Sequence, residues 1–230
     1  MIEMTTIEKV FRTETVETKA LAGVDLTIKQ GEFVAIMGPS GCGKSTLLGI
    51  LGLIDKATRG SYRFEGEEVA TLPERLAARR RRERIGFVFQ QFNLVDELTV
   101  AENVALALRY RSMSAGERKR RIEEALDRVA IGHRARHFPA QLSGGQQQRA
   151  AIARAVVGGP ALLLADEPTG NLDSNNGREV MRLLSELNAQ GSTLIMVTHA
   201  QFQADQAHRC IHMLDGRVIG DSTNQRPEAA

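Results

Sequence analysis

The chain has 230 residues, 42% of them hydrophobic and 25% charged, enough for one sizeable α/β domain with a subdomain and too few for two such domains in tandem. Its 30 basic and 28 acidic residues leave a formal charge of +2, which gives no general reason to expect nucleic acid or an anionic lipid surface as a partner. Two cysteines, Cys42 and Cys210, suit a reducing compartment rather than a disulfide framework, and no apolar stretch reaches the ~20 residues of a membrane helix.

The first residues lack a basic region followed by an apolar run, so no secretory leader is expected. Val24, Leu26 and Ile28 alternate with polar residues, the pattern of a half-buried strand. After a turn at 29–32, Phe33 to Met37 reads as a buried strand, leading through the glycine-rich segment 38–43 into an apolar helix predicted from Lys44 to Ile54. Tyr62 and Phe64, followed by Glu65-Gly66, indicate a short strand and turn. A basic helical stretch spans 73–84, and Ile85 to Phe89 is another compact apolar run. Thr99 with Glu102, and Ser114 with Glu117, have capping-box spacing, so about 91–140 is predicted to form a small helical lobe.

Strand and helix then alternate again. Ser143 caps a helix predicted to about Val157, Ala161 to Ala165 is an apolar strand, about Asn175 to Ala189 is a helix, and Thr193 to Val197 is a strand. Leu214-Asp215-Gly216-Arg217 signals a hairpin, and the polar tail of about 221–230 is expected to be mobile. This order predicts one domain over 1–230: a core lobe from about 1–90 and 141–220, built on a mostly parallel sheet with helices on its faces.

Gly38-Pro39-Ser40-Gly41-Cys42-Gly43-Lys44-Ser45 has the spacing of a phosphate-binding P-loop, placed after a buried strand and opening a helix that continues with Thr46. Glycines let backbone N–H groups turn inward around phosphate oxygens, and the helix N-terminus adds a favourable field. Lys44 suits the β- and γ-phosphates, and the Ser45 hydroxyl suits Mg²⁺. A glycine-rich turn that binds nothing would have no need of strand, lysine, hydroxyl and helix in that order. The strand 161–165 runs into Asp166-Glu167, delivering two carboxylates to the edge where open α/β sheets bind ligands. Asp166 suits Mg²⁺, and Glu167 suits orienting or deprotonating a water. Leu142-Ser143-Gly144-Gly145-Gln146 is a second glycine-bearing, serine-capped helix start, again fit for an anion.

In this order the motifs resemble those of ATP-binding-cassette (ABC) ATPases, over about residues 3 to 220. The resemblance implies a P-loop NTPase (RecA-like) α/β core with a mostly parallel sheet, an antiparallel β subdomain and an inserted α-helical subdomain. It implies ATP and Mg²⁺ as cofactors and a homodimer in the ATP-bound state. Site roles follow from the same likeness. Gln90 would touch the metal or the water and sense a partner, and His199 would contact the γ-phosphate. Phe11 would stack on adenine, Asp173 would lie in a loop crossing the dimer interface, and Ser143 to Gln146 would meet the nucleotide bound to the opposite subunit. Two positions depart from the pattern. Ala200 replaces the acid that often follows the switch histidine, which is expected to loosen that loop, and Cys42 stands where serine or alanine is common.

The stretches 50–58, 139–149 and 165–173 are similar to one bacterial subfamily serving macrolide and antimicrobial-peptide efflux, lipoprotein release and a cell-division complex. That likeness implies an integral-membrane permease on a separate chain, a place on the cytoplasmic face of the inner membrane, and mechanical transmission. Docking is expected in the groove near Gln90 to Val95. A small-solute importer ATPase, such as one for amino acids, is the competing transport reading; a sugar-importer type would need a further domain beyond Ala230. A DNA-repair or chromosome ATPase would need a long coiled coil between the P-loop and Leu142, and a nucleotide kinase would not need the segment 142–146. Arg79 to Arg82 with Arg84, and Arg118 to Arg121, have acidic neighbours and no interleaved aromatics, so both are read as solvated helix faces rather than nucleic-acid sites.

Overall fold

The computed structural model describes residues 1–12 and 15–224. Two sheets organise them. In the first, β1 (Ile2–Arg12) pairs antiparallel with both β2 (Glu17–Ile28) and β4 (Arg59–Phe64), and β5 (Glu67–Glu68) pairs with β4, giving the order β2-β1-β4-β5. The sequence does not announce β1, because its register shifts between Met4 and Ile7, where Thr6 turns to φ 51. That irregularity breaks the two-residue alternation by which a strand is read, yet it lets Ile2, Met4 and Ile7 all reach the core.

The second sheet contains β3 (Phe33–Met37), β6 (Ile85–Val88), β7 (Leu162–Asp166), β8 (Thr193–Val197), β9 (Arg209–Leu214) and β10 (Arg217–Thr223), in the order β10-β9-β3-β8-β7-β6. All its pairings are parallel except the β9–β10 hairpin. Every residue of β3 and β8 is buried, as expected of strands covered on both sides.

Helices α1 (Lys44–Leu51), α2 (Glu74–Arg84), α3 (Val100–Ala105), α4 (Ala115–Arg128), α5 (Gly144–Val156), α6 (Ser174–Ala189) and α7 (Gln201–Ala204) complete the regular structure with short 3-10 turns. Strand residues divide by parity between two cores. Val34, Ile36, Leu162, Leu164 and Ile195 pack with Leu47, Leu48 and Leu51 of α1 and with the antiparallel sheet. Phe33, Ala35, Leu163, Ala165 and Met196 pack instead with α3 to α6 through residues such as Val104, Leu126, Ile152 and Leu184. Helices α1 and α5 therefore lie on opposite faces of the parallel sheet.

The three predicted caps form. Thr99 and Ser143 make reciprocal capping boxes, and the Ser114 hydroxyl accepts the Glu117 N–H at 3.1 Å. Several arginines of α2 are engaged with acids: Arg79 with Glu83, Arg80 with Glu67, Arg81 with Glu74 and Arg84 with Glu65. Arg120 and Arg121 likewise pair with Glu124 and Glu117.

Two predicted boundaries need correction. Helix α1 stops at Leu51 rather than Ile54, because the chain turns left-handed at Leu53, φ 55. The polar tail does not begin at Asp221. Residues 221–223 belong to β10, where Asp221 accepts hydrogen bonds from the Arg209 guanidinium, and the Asn224 amide is bonded to the carbonyls of Ala204 and Ala207. Polarity alone hid the end of a strand held by a cross-strand ion pair. The rest of the expected tail, 225–230, lies outside the described residues.

Candidate active site at the carboxyl edge of the sheet

Four neighbouring parallel strands deliver their carboxyl ends to one edge: β6 to Gln90, β7 to Asp166-Glu167, β8 to Thr198-His199 and β3 to the P-loop. Such an edge is where open α/β sheets bind ligands. Gly43, at the start of α1, has φ 103 and lies so near β2 that a Cβ there would stand 2.5 Å from the Ala20 carbonyl oxygen. Only glycine satisfies both demands, so the antiparallel sheet and the phosphate loop are fitted together at this residue. The Lys44 ammonium donates to the carbonyls of Gly38 and Pro39, both at 2.8 Å, and the side chain is buried. Cys42 is also buried, its Sγ 3.9 Å from Lys44 Nζ.

Ser45, the second residue of α1, stands near enough to the Asp166 side chain of β7 to favour its charged form. Burial first, and then the neighbouring Glu167 carboxylate, push the Asp166 carboxyl above the ordinary aspartate range; Ser45 and Lys44 partly offset this. A hydroxyl and a carboxylate facing each other, with a second carboxylate adjacent, form a hard-oxygen set deficient in positive charge, which suits Mg²⁺. Among the described residues no group of three or more His, Cys, Asp or Glu side chains is placed to hold a metal ion.

The raised pKa has a sign. An acid whose folded-state pKa lies above its unfolded value favours the fold fully below the unfolded value, and that contribution is lost as pH rises through the folded one. Without nucleotide, Asp166→Asn is therefore expected to melt at or above the wild-type temperature well above the carboxylate range, with the advantage vanishing in acid. Thermal unfolding across pH measures this, and a lower Tm for the variant at alkaline pH would contradict it.

Glu167 sits at φ 44, a left-handed conformation uncommon outside glycine, fixed by its N–H to the Val197 carbonyl at 2.9 Å and by its own carbonyl, which accepts from the Gly170 N–H at 2.9 Å. Its Oε2 is 3.2 Å from Nδ1 of the exposed His199. Gln90 is tied to the loop after β7: its amide donates to Asn171 Oδ1 at 3.3 Å, and Asn171 donates back to the Gln90 carbonyl at 3.0 Å. The structure thus brings Lys44, Ser45, Gln90, Asp166, Glu167 and His199 to one edge.

Phe11 lies in the other sheet, on the β1–β2 hairpin. It is 45% exposed, with the Lys9 ammonium 4.8 Å from its ring centroid. Ser143 to Gln146 stand on the other face of the sheet, at the start of α5. Gly145 has a packing reason of its own, since a Cβ there would stand 2.2 Å from Asn176 Oδ1 of α6. Asp173 caps α6, accepting the N–H groups of Asn175 and Asn176 at 2.9 and 3.1 Å, and these bonds with the Asn176 amide hold its carboxyl below the usual range.

Sequence reading missed the amides that join these loops. Gln148 is fully buried and donates to the carbonyls of Phe89 at 3.3 Å and Pro168 at 2.5 Å. A signal existed: Gln148 shares the helical phase of Ile152, Ala155 and Val156, and a polar residue on a buried stripe asks for a partner. Asn171 and Gln203 had no such signal, the first lying in a loop and the second in a four-residue helix too short for a period.

The fold and this edge define a P-loop nucleotide hydrolase. The model of the ABC transporter family matches residues 21–170, and the chain belongs to that family as an ATPase domain. It is similar to a macrolide export ATP-binding/permease protein of Azoarcus sp., with 49% identity over 228 residues covering 99% of this chain and 35% of the relative. An uncharacterized ABC transporter ATP-binding protein of Thermotoga maritima is 47% identical over 96% of this chain and 94% of its own length. Among solved structures, an ATP-binding cassette captured as a dimer in a post-hydrolysis state with ADP and Pi superposes with a TM-score of 0.90 at 44% identity, over 98% of this chain and 100% of that one. The chain spans about a third of the length of the macrolide-export relatives, 35% and 36% for two of them.

Proposed function

We propose that, on the cytoplasmic face of the inner membrane, two copies of the chain close around two ATP molecules with Mg²⁺ and use binding and hydrolysis to drive an integral-membrane permease on a separate chain, in export of macrolides or antimicrobial peptides or in lipoprotein release. The supporting observation is the placement of the two anion-ready helix starts. The P-loop opens α1 on one face of the parallel sheet, and Ser143 opens α5 on the other, with a whole sheet layer between them. One chain does not close both ends on one triphosphate, whereas a two-fold partner turned head to tail supplies the missing half. The dimeric cassette at 44% identity supports the same arrangement.

Within the site, backbone N–H groups of Gly38 to Thr46 bind and orient phosphate oxygens, and Lys44 adds positive charge. Ser45 and Asp166 would hold Mg²⁺, with Gln90 reaching it or the water; when bound, the cation neutralises charge developing on the transferred phosphoryl group. Glu167 takes the proton of the attacking water, and His199, within hydrogen-bond reach of Glu167, fixes that carboxylate and faces the γ-phosphate. Closure is favoured only while the γ-phosphate bridges the two halves, so its loss releases them. Phe11 offers an exposed ring for adenine, and Asp173 a carboxylate at the interface.

A groove of about 620 Å³ between α2, β6 and the helical segment suits the permease; Phe87, Phe89, Asn93, Tyr110 and Arg154 help to line it. The sheet's last strand, β6, lies there, and Arg154 holds the carbonyls of Phe92 and Asn93, so pressure in the groove acts directly on the segment carrying Gln90. No helix among the described residues is long and apolar enough to cross a membrane. Names of relatives joining ATP-binding and permease functions support the export reading. Supplied to cells with a macrolide permease deprived of its own cassette, the wild-type chain is expected to raise macrolide tolerance and Glu167→Gln to leave it unchanged. An active ATPase that gives no protection rejects macrolide export.

A further inference from the structure

Thr198, which immediately precedes the switch histidine, is 1% exposed. Its Oγ1 donates to Gln203 Oε1 at 2.7 Å and accepts the Ala200 N–H at 3.1 Å. The other end of the same amide, Gln203 Nε2, donates to Thr169 Oγ1 at 2.5 Å. Gln203 is 7% exposed and Thr169 9%, so both bonds are shielded from water. Thr169 lies two residues beyond Glu167, whose carbonyl accepts from the next residue, Gly170. One buried side chain thus joins the residue before His199 to the loop leaving Glu167, while His199 and Glu167 face each other at 3.2 Å. The loop that Ala200 was expected to loosen is instead tied from behind.

We propose that Gln203 is a positioning residue for hydrolysis, setting His199 against Glu167 through the Thr198–Gln203–Thr169 bridge. This rests on the reading that His199 and Glu167 perform the chemistry. An amide suits the task because its oxygen and nitrogen make opposite demands at opposite ends, so each hydroxyl is held with a defined polarity. A hydrocarbon of similar size leaves two buried hydroxyls without that partner, and the cost falls on the loops' alignment while the P-loop cradle is untouched.

The test is steady-state and single-turnover ATP hydrolysis by the full chain with Mg²⁺. Gln203→Leu is expected to lower kcat about fivefold to tenfold, the effect of a lost buried bond, with KM for ATP changed less than about twofold. Thr169→Val should reproduce the loss, serving if Gln203→Leu does not fold, and the double variant should be no worse than either single one. In a His199→Ala background, Gln203→Leu should have no further effect; an equal fractional loss there would mean a purely structural role and overturn the proposal. A folded Gln203→Leu protein with unchanged kcat overturns it as well. If His199→Ala itself turns over at the wild-type rate, the assignment of the catalytic pair fails, an outcome distinct from a silent Gln203 beside an inactive His199→Ala.

Discussion

Glu167→Gln is expected to lower ATP turnover by about two to four orders of magnitude, the usual contribution of a positioned general base, while leaving ATP affinity close to wild type. The amide keeps the shape of the carboxylate and still reaches His199 Nδ1, now 3.2 Å from Oε2, so the strained turn at φ 44 and its backbone bonds to Val197 and Gly170 should persist. What it loses is the capacity to take a proton from water. Since closure is favoured as long as the γ-phosphate remains, the variant should accumulate as a dimer with ATP and Mg²⁺, visible by light scattering on a sizing column. Normal turnover by the variant would overturn the role given to Glu167. Lost turnover without a dimer would leave that role standing and reject the shared-nucleotide arrangement.

The second large effect lies at Lys44. Its ammonium is buried and bonded to the Gly38 and Pro39 carbonyls at 2.8 Å, so it is carried by the loop it serves rather than waving from the surface. Lys44→Met keeps most of the volume and removes the charge. ATP affinity is expected to fall about 30-fold or more, in line with removing one partner of a desolvated charge pair, and hydrolysis should fall further because the same charge offsets the developing transition state. Nucleotide titration followed by fluorescence or calorimetry separates the two effects. Unchanged affinity with lost turnover would confine Lys44 to the chemical step, and unchanged turnover would remove it from the site.

These two expectations depend on residues legible in the linear chain, and the reason is local. A P-loop must have glycine where φ is positive, a lysine and a hydroxyl at set offsets, and a helix immediately after; all of that is short-range geometry written into 38–46. The apolar run into Asp166-Glu167 is equally local. Helix starts at Thr99, Ser114 and Ser143 were visible because a cap and its partner lie three residues apart. Strand β1 was not visible, because a bulge near Thr6 shifts the alternation, and the end of β10 at 221–223 was concealed by its polarity, since one side of that edge strand is solvated and Asp221 pairs with Arg209 on β9.

The sequence by itself determined the parts of the candidate site: a P-loop, a metal-suited carboxylate, a candidate base and a second anion-ready helix start, each specified by residues close in the chain. Only the tertiary structure decided how they stand to one another, with α1 and α5 on opposite faces of one sheet and Gln148, Asn171 and Gln203 bonding the loops together. Such bonds join residues tens of positions apart, 59 for Gln148 to Phe89, 81 for Asn171 to Gln90 and 34 for Gln203 to Thr169. No spacing rule reaches across such separations, because the partners are brought together by strand order and burial rather than by the local twist of the backbone.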